Sequence, residues 1–126
     1  MRGLILDYGG VLTDGPEMLA LPARARAAGL RTALLSDAHA VPDEYRGLFD
    51  AVVLGGSTGA RKPDPEAFRR TAERLGLAPQ ECVVVDDSPV NVRGAAAAGA
   101  VGVRHTDPVS TLRELAILFD WPPTDG

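Results

Sequence analysis

The chain has 126 residues, of which 45% are hydrophobic and 24% charged, and its net charge is −4 at pH 7. This length suits one domain with a real core, and the composition excludes a disordered chain. No apolar run is long enough to span a bilayer, and the scattered Lys and Arg residues argue against nucleic-acid binding. No leader-like segment precedes the first apolar run, so we expect a cytoplasmic protein without membrane or nucleic-acid partners.

Five short apolar runs are spaced along the chain, and each is continuous rather than alternating. Continuous runs suit strands that are covered on both faces, as in a parallel sheet. The runs occupy residues 4–6, 33–35, 52–54, 83–85 and 101–103. They predict a parallel sheet of five strands.

Helix signals lie between these runs. The clearest helix covers residues 64–75, where Asp64 is a good N-cap and Pro65 a good first helical residue. A second helix begins at Ser88 and ends at Gly99. Weaker candidates lie at residues 16–29, 42–48 and 109–119.

The alternation of strands and helices predicts one doubly wound α/β domain over residues 1–120. Residues 121–126 form a tail that we expect to be partly disordered, with Trp121 able to pack back on the core. The lone Cys82 lies in an apolar run, which predicts a small buried residue in a reducing compartment.

Polar residues follow the ends of the predicted strands. In an open parallel sheet, ligands bind in the crevice outside the carboxyl ends of the strands. The residues found there are Asp7, Ser36, Gly55, Asp86 and Asp87, and the glycine-rich loop after Gly55 leads to Lys62. Clustered carboxylates are costly unless a cation compensates them, and Mg²⁺ is the natural choice. A lysine and a serine hydroxyl beside them can bind a phosphoryl group.

These residues lie in four segments, which read DYGGV, LLS, a lysine followed by PDP, and VVVDDSPVN. Their order resembles the four motifs of the haloacid dehalogenase superfamily, and the resemblance covers residues 4–103. Members of that superfamily are mostly phosphatases. The resemblance implies a Rossmann-like, three-layer core. It also implies a Mg²⁺-dependent phosphohydrolase that acts on a phosphorylated substrate, either a small molecule or a macromolecule, through an aspartyl-phosphate.

The resemblance also implies a role for each matching residue. Asp7 would be the nucleophile and a Mg²⁺ ligand, and Gly9 would offer its backbone carbonyl to the metal. Ser36 and Lys62 would bind the phosphoryl oxygens. The remaining members of the predicted site are Asp37, beside Ser36 in the substrate-binding group, the metal ligand Asp87, its supporting neighbour Asp86, and Asn91, which would orient the metal shell.

Gly9 departs from the family pattern, because family phosphatases usually carry an aspartate there as the acid and base. Losing such a group typically costs about 10²- to 10⁴-fold in rate, so we expect slow turnover or a need for good leaving groups. Asp14 and Asp37 are the candidates to replace it. A helix cap or a solvated loop acid is the simpler interpretation of each.

The predicted site also has no room for a cap. Only residues 8–35 separate Asp7 from Ser36, and only residues 37–61 separate Ser36 from Lys62. The first interval holds little more than a flap and one helix, and the second likewise leaves no room for a cap. The site is therefore expected to be open, suited to a macromolecular substrate or to being covered by another chain, such as a second copy in a homo-oligomer.

Two other functions stay open. A 2-haloacid dehalogenase would use Asp7 to attack carbon without an acid at Gly9, but the VVVDDSPVN segment is of the phosphatase type. A non-catalytic binding or scaffold protein would explain Gly9, although the presence of Asp7, Lys62 and Asp87 argues against it.

Three further patterns are set aside. The GGSTGARK stretch lacks the ending of a P-loop. A phospho-receiver domain would place its acid pair after the first strand, whereas here the pair follows the fourth. His39 and His105 have no partner at metal-ligand spacing, so both are expected to be surface or loop residues.

Overall fold

A five-stranded, all-parallel sheet forms the centre of the fold in this computed structural model, which describes residues 1–122. The strands are β1 (Gly3–Leu6), β2 (Arg31–Ser36), β3 (Ala51–Leu54), β4 (Cys82–Asp86) and β5 (Val101–Arg104). Their order in the sheet is β3-β2-β1-β4-β5, so the chain first moves outward from β1 and then crosses back to its other side. The five predicted strands are confirmed, and the crevice between β1 and β4 is the switch point where such sheets bind ligands.

Helices cover both faces of this sheet, as the doubly wound prediction requires. They are α1 (Pro16–Ala27), α2 (Asp43–Arg46), α3 (Gly55–Thr58), α4 (Pro65–Arg74), α5 (Pro89–Ala98) and α6 (Pro108–Phe119), with a 3₁₀ turn at Pro79–Glu81. Side chains alternate across β1, so Leu4 and Leu6 pack with α1 and α6, whereas Ile5 packs with α4 and α5. The strands are therefore covered on both faces, which explains why their sequences are continuously apolar.

The two clearest helix predictions are confirmed together with their caps. The Asp64 side chain accepts a hydrogen bond from the Glu66 backbone N–H at 2.9 Å and begins α4. Ser88 accepts from the Asn91 N–H at 3.3 Å and begins α5, which ends at Gly99 with a φ of 101°. These local signals identify helix ends because they satisfy backbone groups that the helix itself leaves unpaired.

The weaker predictions need correction in two places. The predicted helix over residues 42–48 is only one turn, Asp43–Arg46. The glycine-rich segment after β3 is not a simple loop, because Gly55–Thr58 forms a helical turn that ends at Gly59, where φ is 83°. A positive φ is easy for glycine, so Gly59 can close a turn that the composition alone does not predict.

Close packing of α5 against the chain beside Lys62 depends on a small residue. A Cβ atom built on Gly94 would lie 2.1 Å from the carbonyl oxygen of Pro63, a distance that no real contact shows. Glycine at this position therefore lets α5 rest directly on the segment that carries Lys62 to the switch point.

Trp121 packs back on the fold, as predicted. Its ring stacks on Phe119 with centroids 5.3 Å apart, and the Arg24 guanidinium lies 4.4 Å above it. The rest of the predicted tail, residues 123–126, lies outside the described residues. Cys82 is fully buried as predicted, and this burial raises the pKa of its thiol to about 11. Within residues 1–122, no helix is both long and apolar enough to cross a membrane.

Candidate active site

A buried lysine and two aspartates meet at the carboxyl ends of β1 and β4. The Lys62 ammonium lies 2.8 Å from Asp7 Oδ1 and 2.8 Å from Asp86 Oδ2, and its side chain is only 4% exposed. Asp7 directly follows β1 and Asp86 is the last residue of β4, and these neighbouring parallel strands end at the same edge. The structure thus brings these three residues of the predicted site together.

Both carboxylate oxygens of Asp86 accept hydrogen bonds that stabilise this arrangement. It is 1% exposed, and its Oδ1 accepts from the Ser88 backbone N–H at 2.9 Å. Its Oδ2 accepts from Asn91 Nδ2 at 3.2 Å as well as from Lys62. Asp86 therefore fixes the ammonium in place, and Asn91 contacts Asp86 rather than Asp87.

Asp7 has one committed oxygen and one free oxygen. Its Oδ1 accepts both from Lys62 and from the Tyr8 backbone N–H, at 2.8 Å each. Within the described part of the chain, no hydrogen bond engages Oδ2. The committed oxygen orients the carboxylate, and the free one can face an electrophile or a cation.

Asp87 completes an acidic cluster with Asp7 and Asp86. One carboxylate oxygen from each residue lies within 4.8 Å of the others. Asp87 is exposed, and among residues 1–122 its carboxylate accepts no hydrogen bond. It is therefore available to a ligand from solvent.

Burial and charge act in opposite directions on the two central groups. Burial raises the pKa of Asp7 to about 6, because it outweighs the nearby Lys62, and the like charge of Asp86 adds to the rise. Burial also opposes the charge of Lys62, but the two carboxylates together outweigh it and raise the pKa of Lys62 above its usual value. The ammonium therefore stays charged, whereas the Asp7 carboxylate is held in a costly state.

The raised pKa of Asp7 predicts a pH dependence of stability in the metal-free protein. The folded state holds this proton to about pH 6, whereas the unfolded chain loses it near the ordinary aspartate pKa of 3.8. The contribution of this proton to the free energy of unfolding is thus complete below the pKa of the unfolded chain. It falls by about 2 to 3 kcal/mol as the pH rises through the pKa of the folded state. We expect the free energy of unfolding of Asp7→Asn to rise by that amount relative to wild type between about pH 4.5 and 7.5.

Urea unfolding of both proteins in EDTA at several pH values measures this difference. If the gap in the free energy of unfolding between Asp7→Asn and wild type stays constant across this range, the raised pKa is contradicted.

The donor set fits a hard divalent cation. Three carboxylates face one ammonium, so a dication would balance the charge that remains when all are ionised. Asp7 and Asp87 have free oxygens to offer, whereas both oxygens of Asp86 are occupied. Of the predicted ligands, Asp7 and Asp87 thus suit Mg²⁺, and the role of the Gly9 carbonyl stays a prediction.

The two glycines after Asp7 differ in what they permit. Gly10 has a φ of 79°, and a Cβ built on it would lie 2.5 Å from Asp87 Oδ2. Gly9 has a φ of −66° and a ψ of 128°, which any residue adopts, and a Cβ built on it would meet no atom within 4 Å. Gly10 is required by the fold, but Gly9 is not.

Ser36 and Asp37 lie at the end of β2, where they were predicted, and the side chain of each accepts one hydrogen bond from a backbone N–H. Ser36 is 7% exposed, and its Oγ accepts from the Ala38 backbone N–H at 3.2 Å. Asp37 Oδ1 accepts from the Lys62 backbone N–H at 3.0 Å, so this carboxylate holds the lysine segment. Their contact with substrate stays a prediction.

His105 lies in the loop after β5, which the prediction allowed, but it does not lie at the surface. His105 is buried, and its Nε2 lies 2.6 Å from Asp14 Oδ2 while its Nδ1 lies 2.6 Å from Thr111 Oγ1. Asp14 is therefore not simply a solvated loop acid or a helix cap. His39 is exposed, as expected. The sequence signal for His105 was weak, because its partners are distant along the chain or lie in another element.

The doubly wound sheet and the aspartate–lysine cluster at its switch point define an α/β enzyme core. The chain belongs to the haloacid dehalogenase-like hydrolase family, whose model matches residues 15–99. The matched range includes Ser36, Lys62, Asp86 and Asp87, and Asp7 precedes it. The resemblance found in the sequence is thereby confirmed at the level of family and fold.

Curated proteins of known name are similar to this chain. A phosphoserine phosphatase from Thermus thermophilus is 42% identical over an alignment of 109 positions, which covers 74% of this chain and 43% of that protein. A phosphoglycolate phosphatase from Rhodospirillum rubrum is 36% identical over 95% of this chain and 44% of its own length. The chain thus spans less than half the length of these curated relatives.

A solved structure of nearly the same length is also similar to this chain. An uncharacterized protein from Corynebacterium glutamicum is 37% identical, and its crystal structure matches with a TM-score of 0.90 over 99% of both chains. The core described above therefore also occurs in a crystallised chain of nearly the same length.

Proposed function

We propose that this chain is a Mg²⁺-dependent phosphohydrolase that acts through an aspartyl-phosphate at Asp7. The observation that carries the proposal is the ammonium of Lys62, held 2.8 Å from both Asp7 and Asp86 beside the open carboxylate of Asp87. Such a group of charges binds and neutralises a transferring phosphoryl group. The phosphatase names of the relatives support the same class of reaction.

In the first step, the free Oδ2 of Asp7 attacks phosphorus and the bond from phosphorus to the ester oxygen breaks. Lys62 neutralises charge on the phosphoryl oxygens, and the Ser36 hydroxyl donates to one of them. The leaving oxygen takes a proton from solvent, because Gly9 provides no acid. Asp7 Oδ1 keeps its two hydrogen bonds and holds the carboxylate in line.

In the second step, water attacks the phosphorus of the aspartyl-phosphate, releases inorganic phosphate and restores the Asp7 carboxylate. Mg²⁺, when held by Asp87 beside Asp7, would supply charge stabilisation of the phosphoryl oxygens. Without a positioned base at Gly9 this step is also slow. Asp14 and Asp37 remain candidates for that role, although both carboxylates already have partners in the fold.

The substrate is proposed to be a phosphate monoester, as the names of the phosphoserine and phosphoglycolate phosphatases indicate for those proteins. Because β1 and β2 are joined only by a turn and α1, no cap covers the site within residues 1–122. An open site favours a macromolecular substrate or cover by another chain, such as a second copy. The cytoplasmic location and the lack of nucleic-acid and membrane partners stay predictions.

Phosphate release from a panel of monoesters tests this function. We expect release that requires Mg²⁺, stops with EDTA, and is fastest for p-nitrophenyl phosphate because its leaving group needs little protonation. Beryllofluoride, which mimics the phosphoryl group on a carboxylate, should inhibit it. No release across the panel, together with no binding of Mg²⁺ or beryllofluoride by calorimetry, would contradict the proposal.

A non-catalytic binding protein is the second candidate, and the absence of a side chain at Gly9 is the observation that favours it. It predicts calorimetric binding of Mg²⁺ or phosphate without turnover of any ester. Dehalogenation is the weaker alternative, since the named phosphatase relatives argue against it. Chloride release from a 2-haloacid would be needed to support it.

A further inference from the structure

His105 joins three elements around the candidate site with one buried side chain. It follows β5 and is 4% exposed. Its ring lies between Asp14, in the loop before α1, and Thr111, in α6, at 2.6 Å from each. Its backbone N–H donates to the carbonyl oxygen of Asp86 at 2.9 Å, so it also contacts the strand that carries the lysine-binding carboxylate.

The chemistry of the pair determines how the imidazole is used. A carboxylate oxygen accepts hydrogen bonds, so Nε2 of the ring carries a proton and donates it to Asp14. Nδ1 lies within hydrogen-bond distance of the Thr111 hydroxyl, the second partner of the ring. Both nitrogens are used, and no polar side-chain atom buried within residues 1–122 lacks a partner.

The loop that His105 contacts is continuous with the turn Tyr8–Leu12, which directly follows Asp7 and is here named the nucleophile turn. The Gly10 N–H donates to Thr13 Oγ1 at 3.0 Å, and the Thr13 N–H donates to the Tyr8 carbonyl at 3.4 Å. The Asp14 N–H donates to the Val11 carbonyl at 3.1 Å. Asp14 is thus hydrogen-bonded directly to the nucleophile turn.

The nucleophile turn also contacts the exposed carboxylate of Asp87. Asp87 Oδ2 fills the space where Gly10 would carry a side chain. A shift of the turn would therefore move Gly10 against Asp87 and change the separation between Asp87 and Asp7. The distance between the two free carboxylates depends on where the loop at Asp14 is held.

We propose that His105 is a positioning residue: by holding Asp14, it fixes the nucleophile turn against Asp87 and sets the geometry with which Asp7 and Asp87 bind a divalent cation. Only the last clause rests on the proposed function. Residues that orient metal ligands typically change metal affinity by about 10- to 100-fold when they are replaced.

Two replacements of His105 separate positioning from simple packing. In His105→Gln, the side-chain amide reaches as far as Nε2 and still donates to Asp14. In His105→Asn, the shorter amide takes the place of Nδ1, keeps the contact with Thr111 and leaves Asp14 without its partner. Both variants lose the ring, so both are expected to lose stability.

Two further variants test the same distinction by replacing the two side-chain partners of His105. Asp14→Ala removes the held carboxylate at a half-exposed position, where folding is least at risk. Thr111→Val removes the other hydrogen bond of the ring and leaves Asp14 bound. Thr111→Val is the matched control for buried hydrogen-bond loss.

Calorimetry with Mg²⁺ and amide hydrogen exchange by NMR measure the effect. We expect His105→Asn and Asp14→Ala to weaken the Mg²⁺ Kd by about 10-fold or more and to speed exchange at the Gly10 and Thr13 amides. His105→Gln and Thr111→Val should keep both properties close to wild type. A positioning role is therefore indicated by a difference between these two pairs of variants in Mg²⁺ affinity and amide exchange, and not by a loss of stability.

Equal Mg²⁺ affinity and equal exchange in His105→Asn and His105→Gln would overturn the proposal and leave His105 a packing residue. If His105→Asn fails to fold, Asp14→Ala decides by the same two measurements. If wild type binds no Mg²⁺, the proposed function fails, whereas the exchange rates of the turn still confirm or overturn the positioning role.

Discussion

Asp7→Asn is expected to lower phosphatase turnover by at least about 10³-fold. The amide is nearly isosteric with the carboxylate but has no anionic oxygen to attack phosphorus, and removing a nucleophile typically costs this much or more. The variant also removes one negative charge opposite Lys62. The measurement is kcat for p-nitrophenyl phosphate with saturating Mg²⁺, for both proteins purified in parallel.

The matched control is Asp43→Asn, which makes the same chemical change on a fully exposed carboxylate in α2. Its turnover should equal that of wild type, and the thermal unfolding of both variants should show that the fold is intact. Turnover of Asp7→Asn within about 10-fold of wild type would rule out Asp7 as the nucleophile. It would also point to a contaminating phosphatase if the rate did not scale with protein.

The sheet was predictable because its signals are local and repeated. A strand covered on both faces must be apolar at every position, and the runs at β1 and β4 are fully buried. The caps at Asp64 and Ser88 identify helix starts for a similarly local reason. The turn α3 was not predicted and the helix at α2 was predicted too long, because so short a helix depends on its surroundings rather than on periodicity.

The sequence predicts which residues of the site are neighbours only as far as the order of the strands determines this. Parallel strands end at one edge, so Asp7 and Asp86 had to be neighbours once β1 and β4 were adjacent. Sequence could not show that Asp86 would be the fully bonded partner of Lys62, because that depends on side-chain rotamers. The His105–Asp14 pair joins residues 91 positions apart, and a lone histidine carries no periodic signal.

The interpretation of Gly9 needs both the sequence and the structure. The resemblance to the family marks it as a missing acid, and the structure shows that its backbone and surroundings accept a side chain. Its neighbour Gly10, by contrast, has a positive φ and no free space. The lack of a side chain at Gly9 is thus not imposed by the fold.

Gly9→Asp is therefore expected to raise turnover by about 10²- to 10⁴-fold for esters with poor leaving groups, because it adds a carboxyl group able to protonate the departing oxygen and then to activate water. Wild type should depend steeply on leaving-group pKa across a series of aryl and alkyl phosphates, and Gly9→Asp should depend on it far less. Steady-state kinetics with Mg²⁺ over that series measures both effects.

Gly9→Asn is the matched control, since it fills the same space without an ionisable group and should leave both the rate and the leaving-group dependence near wild type. If Gly9→Asp is no faster than Gly9→Asn while wild type is active, another group already moves the proton. Asp14 and Asp37 then become testable by the same series. If neither variant nor wild type turns over while all three bind Mg²⁺ and phosphate, the chain is a binding protein whose nucleophile is intact but unused.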